Sequence, residues 1–170
     1  MSRELLLLRH AKSNWKIKTP RDFDRPLADR GLRDAPRMGA WLYREGVLPG
    51  LIMSSPAVRA RETALKVCKA LDLKKKSIRW EPRLYEADLP TLLEILAGLD
   101  ADQKSVLLVG HNPGLESLLR FLVGNDLEEP EDGKLLPTAA LARLEMPTDW
   151  SVLEFGRANL IRLVRPKQLG

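Results

Sequence analysis

Short apolar runs alternate with longer amphipathic segments through the first two-thirds of the chain. An apolar run with no polar alternation, such as the four leucines at 5–8, is typical of a strand buried on both faces. The predicted strands here are residues 5–8, 51–53, 78–80 and 105–110. Between them, apolar positions recur every three or four residues, which predicts helices. The predicted helices are residues 27–46, 57–71, 91–99 and 115–123.

The last third of the chain adds two further predicted strands, at residues 139–146 and 159–164. The strand–helix alternation predicts an α/β fold, and specifically a three-layer α/β/α sandwich with a mostly parallel central sheet. No repeat or linker divides the chain, so residues 1–170 are expected to form one domain. The apolar face predicted for the first helix consists of Leu32, Ala35, Met38, Trp41 and Leu42.

The composition is that of a globular protein with a sizeable core. Of 170 residues, 44% are hydrophobic and 30% are charged. The net charge of +5 favours acidic partners, but it does not choose between phosphate ligands, nucleic acid and acidic proteins. With only three Phe and two Tyr, and no basic run interleaved with aromatics, we expect no nucleic-acid partner.

Cysteine content and hydropathy indicate where in the cell the protein is expected to be found. The single cysteine, Cys68, excludes an intramolecular disulfide, and its helical, apolar surroundings predict a buried small hydrophobe. The first apolar run is too short for a signal peptide, and no segment approaches membrane-spanning length. We therefore expect a cytoplasmic protein without membrane contact. No apolar stripe is left over in the pattern, which favours a monomer.

The sequence gives no sign of a metal or a cofactor. The chain has two histidines, His10 and His111, on different predicted strands and without a carboxylate cluster beside them. A glycine-rich nucleotide-binding loop is also lacking. The expected chemistry is therefore independent of metals and cofactors.

Three unusual clusters follow three of the predicted strands. Arg9 and His10 follow the first strand, SSPAVRARET follows the second, and His111 and Asn112 follow the strand at 105–110. Ligands of open α/β sheets bind beyond the carboxyl ends of the strands. Because both histidines of the chain occupy such ends, we expect the three clusters to form one site.

These residue types suit phosphoryl transfer. A neutral imidazole, that of His10, can attack phosphorus and hold the group covalently. The phosphoryl oxygens then need fixed cations and N–H donors. Arg9 and Arg59 offer guanidinium forks that match phosphate geometry, with Arg59 near a helix N-terminus. His111 is expected to add a donor, and Asn112 a backbone or side-chain donor.

The segments LLLLRHAKS, SSPAVRARETA and VGHNPGL resemble the signature segments of the histidine phosphatase superfamily. RPLADRG, within a chain this short, resembles the SixA-type phosphohistidine phosphatases. The resemblance implies a phosphoglycerate mutase-like fold, with His10 as nucleophile and Arg9, Arg59 and His111 around the phosphate. It also points to Glu86, in RLYEAD, as an acid/base carboxylate.

The chain departs from the superfamily pattern at two positions. Ala11 stands where a glycine is more usual, and Lys16 stands where phosphoglycerate mutase relatives have an asparagine. Ser13 and Lys16 are therefore candidate pocket donors. Asp88 is the alternative to Glu86 as general acid, and phosphohistidine needs that acid less than an ester does, because imidazole is a good leaving group.

We therefore expect metal-independent hydrolysis of protein phosphohistidine through a phospho-His10 intermediate. The partner is then a phosphorylated protein domain or, alternatively, a small phosphorylated molecule. Two other functions remain open: a phosphatase or mutase acting on a small metabolite, and a non-catalytic module that binds phosphate or an acidic partner. Replacing His10 with alanine separates an enzyme, which loses turnover, from a binding module.

Overall fold

A computed structural model describes residues 2–169 and contains one six-stranded sheet. The strands are β1 (Arg3–Arg9), β2 (Leu51–Ser54), β3 (Ile78–Trp80), β4 (Ser105–Gly110), β5 (Leu141–Met146) and β6 (Asn159–Val164). The helices are α1 (Asp29–Arg44), α2 (Val58–Ala70), α3 (Leu89–Ala97) and α4 (Gly114–Val123). Each predicted element is present, with ends displaced by a few residues.

The sheet is mostly parallel, as predicted. Its strand order is β3-β2-β4-β1-β5-β6. The first four strands in this order, β3, β2, β4 and β1, are parallel to one another. Strands β5 and β6 continue the sheet in the antiparallel sense. Because β1 lies between β4 and β5, its carboxyl end is in the middle of one sheet edge.

The four leucines of β1 divide between two hydrophobic cores. Leu5 and Leu7 pack into the core formed with α3 and α4, whereas Leu6 and Leu8 pack into the core formed with α1 and α2. All four side chains are fully buried. The continuous leucine run therefore serves both faces of the sheet at once, and the predicted three-layer arrangement is confirmed.

One predicted core position is wrong. Leu32 is 38% exposed, and the inward row of α1 begins instead at Gly31 and continues through Ala35 and Met38. A Cβ on Gly31 would lie 2.2 Å from the backbone oxygen of Lys12, so the first turn of α1 approaches the loop too closely for a side chain. Leu32, next to it, consequently points outward.

Two further expectations concern the burial of Cys68 and the absence of a membrane-spanning helix. Cys68 on α2 is buried, as predicted, and burial raises the pKa of its thiol. No helix within residues 2–169 combines the length and the apolar character needed to cross a membrane.

Candidate active site

The three predicted clusters meet at the carboxyl ends of β1, β2 and β4. These strands are neighbours in the parallel part of the sheet, so their ends open at one edge. The imidazole rings of His10 and His111 have centroids 5.2 Å apart. Sequence positions about 100 residues apart are therefore adjacent in space, as the strand-end argument predicts.

The backbone around His10 fixes the chemical state of its ring. Its Nδ1 lies 2.7 Å from the carbonyl oxygen of Ala11. A carbonyl oxygen can only accept, so Nδ1 carries the proton and Nε2 keeps a lone pair. Burial, aided by the charges of Arg59 and Arg9, lowers the pKa of His10 to about 3, although the bond to Ala11 opposes the shift. His10 is thus a neutral imidazole with an unprotonated Nε2 at neutral pH.

Ser55 controls the orientation of His111. The Ser55 hydroxyl oxygen accepts a hydrogen bond from the backbone N–H of Ala57 and lies 2.8 Å from Nε2 of His111. We assign the Ser55 hydroxyl proton to Nε2, the arrangement in which Nδ1 of His111 carries its own proton and is the N–H donor. Burial is the main cause that lowers the pKa of His111 to about 4, and the positive charge of Arg59 lowers it further. His111 is therefore a neutral donor.

Arg59 is buried and Arg9 is half-buried beside it, and the two arginines are anchored differently. Nη1 of Arg9 donates to the carbonyl oxygen of Leu136 at 3.2 Å. Arg59, in the first turn of α2, donates from Nη1 to the backbone oxygen of Asp22 and from Nη2 to its carboxylate, both at 2.8 Å. The two bonds to Asp22 hold the guanidinium of Arg59 in one orientation, whereas Arg9 has a single anchor.

Three buried donors of this cluster have no hydrogen-bond partner within residues 2–169. They are Nε of Arg9, Nε of Arg59 and Nδ1 of His111. Buried donors without partners are rare, because each one carries a desolvation penalty. Three of them around one imidazole are what a multiply charged oxyanion requires.

Asp22 and Tyr85 also belong to this site, although no sequence motif marks either residue. The Asp22 carboxylate accepts hydrogen bonds from Arg59, from Arg25 and from the hydroxyl of Tyr85 at 2.8 Å. Desolvation acts in the opposite direction, but these three hydrogen bonds hold the pKa of Asp22 well below its usual range. Burial and the bond to Asp22 raise the pKa of Tyr85 to about 12. The position of Tyr85 next to the candidate acid Glu86 was the one weak sequence signal for it. Asp22 lies in a loop without a motif, so no sequence signal pointed to it.

The side-chain amide of Asn112 is hydrogen-bonded to other parts of the protein. Its Nδ2 donates to Glu116 at 3.0 Å and to the carbonyl oxygen of Leu136 at 2.8 Å. Glu116 also accepts from the backbone N–H of Leu136. Asn112 and Glu116 thereby fix the carbonyl that anchors Arg9.

The two further candidates from the first loop have different surroundings. Ser13 is buried, and its hydroxyl oxygen accepts a hydrogen bond from Nε of Arg25 at 2.9 Å. Ser13 thereby supports an arginine that itself holds Asp22. Lys16 is exposed, and its side chain makes no hydrogen bond or ion pair within residues 2–169. The structure therefore does not join Lys16 to the buried cluster.

A cavity of about 460 Å³ adjoins the cluster and contains the candidate acids in its wall. Arg59, His111, Glu86 and Asp88 all line it. The Asp88 carboxylate accepts from the backbone N–H of Thr91 and caps α3. Glu86 is exposed, makes no side-chain hydrogen bond among the described residues and has a φ of 59°. An unpaired carboxylate on such strained backbone favours Glu86 over Asp88 as the available acid.

The described residues include no cluster of three or more histidine, cysteine, aspartate or glutamate side chains that could hold a metal ion. The fixed positive charge at this sheet edge comes from Arg9 and Arg59 instead.

Comparison with known families identifies the family of the chain. Residues 5–95 match the sequence model of the histidine phosphatase superfamily, branch 1. The chain belongs to the histidine phosphatase superfamily. The matched region includes His10, Arg59 and Glu86, and the superfamily's phosphoglycerate mutase-like fold is the one described above. The predicted family is thus confirmed, and the chain is an enzyme of the phosphatase class.

Full-length similarity is found to SixA-type members of the superfamily. A solved structure from Agrobacterium tumefaciens, provisionally named phosphohistidine phosphatase SixA, is 32% identical, covers 98% of this chain and 100% of its own, and has a TM-score of 0.82. A structure from Nakamurella multipartitia with the same provisional name is 28% identical, with coverages of 98% and 97% and a TM-score of 0.79. An uncharacterized protein of Mycobacterium leprae is 30% identical over 94% of this chain and all of its own length. The predicted SixA-type resemblance is therefore confirmed over nearly the whole chain.

Proposed function

We propose that this phosphatase hydrolyses phosphohistidine on proteins, without a metal ion, through a covalent phospho-His10 intermediate. The observation that carries the proposal is the pairing of a neutral His10, whose Nε2 keeps its lone pair, with three unpartnered buried donors on Arg9, Arg59 and His111. A nucleophile and a set of oxyanion donors are the two parts that phosphoryl transfer to a protein side chain needs.

In the first step, Nε2 of His10 attacks phosphorus while the bond between phosphorus and the substrate imidazole breaks. The leaving nitrogen keeps the bonding electrons and takes up a proton from solvent water. Arg9, Arg59 and His111 donate to the phosphoryl oxygens as charge shifts on to them. Because the imidazole of His10 is already deprotonated at Nε2, no general base has to activate it.

In the second step, a water oxygen attacks phosphorus from the side that the substrate imidazole has left. The bond between phosphorus and Nε2 of His10 breaks, its electrons return to the imidazole, and inorganic phosphate forms. The water proton passes to solvent or to the departing phosphate. His10 is then neutral again, and the cycle is closed without an oxidant, a reductant or a metal ion.

Two permanent cations support the proposed independence from metals. Guanidinium groups are permanent cations in proteins, and Arg9 and Arg59 each present their donors in a planar fork. Desolvation lowers the pKa of Arg9, with a smaller opposing effect from Glu116, but a guanidinium starts far above neutrality. The arginines can therefore neutralise the phosphoryl oxygens themselves.

The leaving group supports a phosphoramidate substrate. The departing imidazole of phosphohistidine needs less acid assistance than an alkoxide does. The only carboxylate in the cavity wall without a structural hydrogen bond among the described residues is the exposed Glu86, which no neighbour holds in place. The similar proteins that carry the name phosphohistidine phosphatase SixA support the same choice.

A second candidate is a phosphatase of small phosphorylated metabolites. The cavity beside Arg59 and His111, about 460 Å³, is within the range of small-molecule sites, and Glu86 lies in its wall. In that case Glu86 would protonate the alkoxide that leaves. A non-catalytic binding module is disfavoured by the membership in the superfamily.

The test is a pair of initial rates in EDTA, on a protein domain phosphorylated on histidine and on an aryl phosphate. Our proposal predicts a higher kcat/KM for the phosphohistidine protein, with activity unaffected by EDTA. The matched variant Glu86→Gln should leave that rate nearly unchanged. Faster hydrolysis of the aryl phosphate than of the phosphohistidine protein would assign the protein to the second candidate function.

A further inference from the structure

A second cavity, of about 380 Å³, lies at the same sheet edge as His10 but on the side of α1. Its walls come from α1, from the segment 132–138 and from residues 165–167, which follow β6. The cationic side chains in these walls are Arg30, Arg33, Arg37, Lys134, Arg165 and Lys167. Two acidic side chains, Asp34 and Asp132, accompany them.

Both acids are already paired with arginines of the same cavity. Asp132 receives two hydrogen bonds from Arg165, at 2.7 and 3.0 Å. Asp34 receives one from Arg37 at 3.3 Å. These pairs fix the walls, but they leave a surplus of positive charge in the cavity.

The surplus is carried by Arg33, Lys134 and Lys167. All three are exposed, and their side chains have no hydrogen bond or ion pair within residues 2–169. They come from three different segments of the chain, so the folded structure, and no single basic run, brings them together. Six cationic and two anionic side chains around one cavity create a local potential that attracts anions.

The wall of this cavity is continuous with the catalytic strand end. The backbone N–H of Ala139 donates to the carbonyl oxygens of Arg9 and His10, both at 3.1 Å. Pro137 and Thr138, immediately before it, line the cavity. A molecule seated here is therefore next to the segment that supports the nucleophile, and it can belong to the same substrate as the phosphoryl group.

We infer that this cavity docks an acidic segment of the protein that carries the phosphohistidine. The inference rests on the proposed function and names the part of the substrate, apart from the phosphoryl group, that the enzyme recognises. Tethering makes the second contact effectively intramolecular, so modest charge complementarity here raises kcat/KM. A free polyanion has no such tether to the catalytic site.

The test uses two peptides that contain one phosphohistidine, flanked by Asp and Glu in one and by Gly and Ser in the other. The preference is the ratio of their kcat/KM values. The cavity variant combines Arg33→Glu, Lys134→Glu and Lys167→Glu. The control combines Lys74→Glu, Lys75→Glu and Lys76→Glu, which are exposed beside the amino end of β3, at the opposite sheet edge. Both triple variants change the net charge by the same amount.

We expect the wild-type protein to prefer the acidic peptide by about tenfold at low salt, and the preference to shrink as ionic strength rises. The cavity variant should lose the preference, and the control should keep it. Equal rates on the two peptides in the wild type, or a preference that survives in the cavity variant, would overturn the inference while leaving the proposed function intact.

Two other outcomes would also overturn it. If neither peptide is hydrolysed although an aryl phosphate is, the proposed function fails and the docking inference fails with it. If inorganic triphosphate binds the wild type but not the cavity variant, and the wild type shows no peptide preference, the cavity binds a small polyanion.

Discussion

The carboxylate of Asp22 lies 2.8 Å from Nη2 of Arg59, and the backbone oxygen of Asp22 lies at the same distance from Nη1. One residue of the first loop therefore holds both terminal nitrogens of an arginine proposed to bind the phosphoryl group. Asp22 orients Arg59, but it also places a negative charge beside the site that the substrate anion must enter.

Replacing Asp22 with asparagine should strengthen the binding of inorganic phosphate. The change keeps a carbonyl acceptor for Arg59 and removes the competing charge, so we expect the inhibition constant for phosphate to fall about tenfold. The pKa of Tyr85 should fall from about 12 toward its usual value, because the bond to the carboxylate contributes to the elevation. Asp24→Asn, at an exposed pair with Arg21, is the control. Unchanged or weaker phosphate inhibition in Asp22→Asn would contradict the proposed competition.

Replacing Ser55 with alanine should impair catalysis through His111. Without the hydroxyl, Nε2 of His111 loses its partner, and the ring is no longer restricted to the tautomer that carries the proton on Nδ1. We expect kcat to fall by about 100-fold, the lower end of the cost of losing one oxyanion donor, because the ring itself remains in place. The nitrogen chemical shifts of the imidazole should report the changed tautomer, and Ser77→Ala serves as an exposed control. A loss of activity with an unchanged tautomer would mean that Ser55 acts only on folding.

The two histidines should remain neutral far below the usual pKa of imidazole. The pKa values of about 3 for His10 and about 4 for His111 predict that neither imidazole titrates between pH 8 and pH 5.5. Since the chain contains only these two histidines, proton NMR of the tag-free protein resolves the question directly. A ring that titrates near 6.5 would contradict the assigned burial.

The same shifts determine how acid affects stability. In the unfolded chain the histidines take up protons near pH 6.5, whereas the folded protein resists protonation until about pH 4 and below. The unfolded state therefore binds more protons in this window, and the free energy of unfolding should decrease as the pH falls from 6.5 toward 4. Urea unfolding at both pH values measures the change.

The two candidate acids in the cavity wall, Glu86 and Asp88, should behave differently with ester substrates. Glu86→Gln should lower the hydrolysis of an alkyl phosphate by about 100-fold or more, because the alkoxide then leaves without its acid. Asp88→Asn should leave the rate unchanged, since asparagine also caps helices well and Asp88 is committed to the cap of α3. A larger loss in Asp88→Asn than in Glu86→Gln would reverse the assignment.

The sheet and the residues at its carboxyl edge could be predicted because their signals are local. The leucine run of β1 needs no knowledge of distant residues, and Arg9 and His10 follow it directly. Once the strands are parallel neighbours, the convergence of His10, Arg59 and His111 follows from topology alone. The sequence was sufficient for this part of the site.

The rest of the site depends on contacts between distant segments of the chain, and these contacts leave no pattern in the sequence. Asp22 meets Arg59 across 37 positions and Tyr85 across 63, and nothing in a polar loop marks one aspartate for that role. Asn112 could not be assigned in advance, because its amide can face either a ligand or Glu116. The second cationic cavity is likewise assembled from three segments that have no pattern in common.

The central claim is the covalent intermediate on His10, and rapid quenching tests it most directly. The enzyme is mixed with excess phosphohistidine protein in EDTA, quenched in alkali to preserve the phosphoramidate bond, and digested for mass spectrometry. We predict a phosphoryl group on the His10 peptide within the first turnover, and neither adduct nor turnover in His10→Asn. Full turnover in His10→Asn, or a phosphoryl group found only on another residue, would contradict the account.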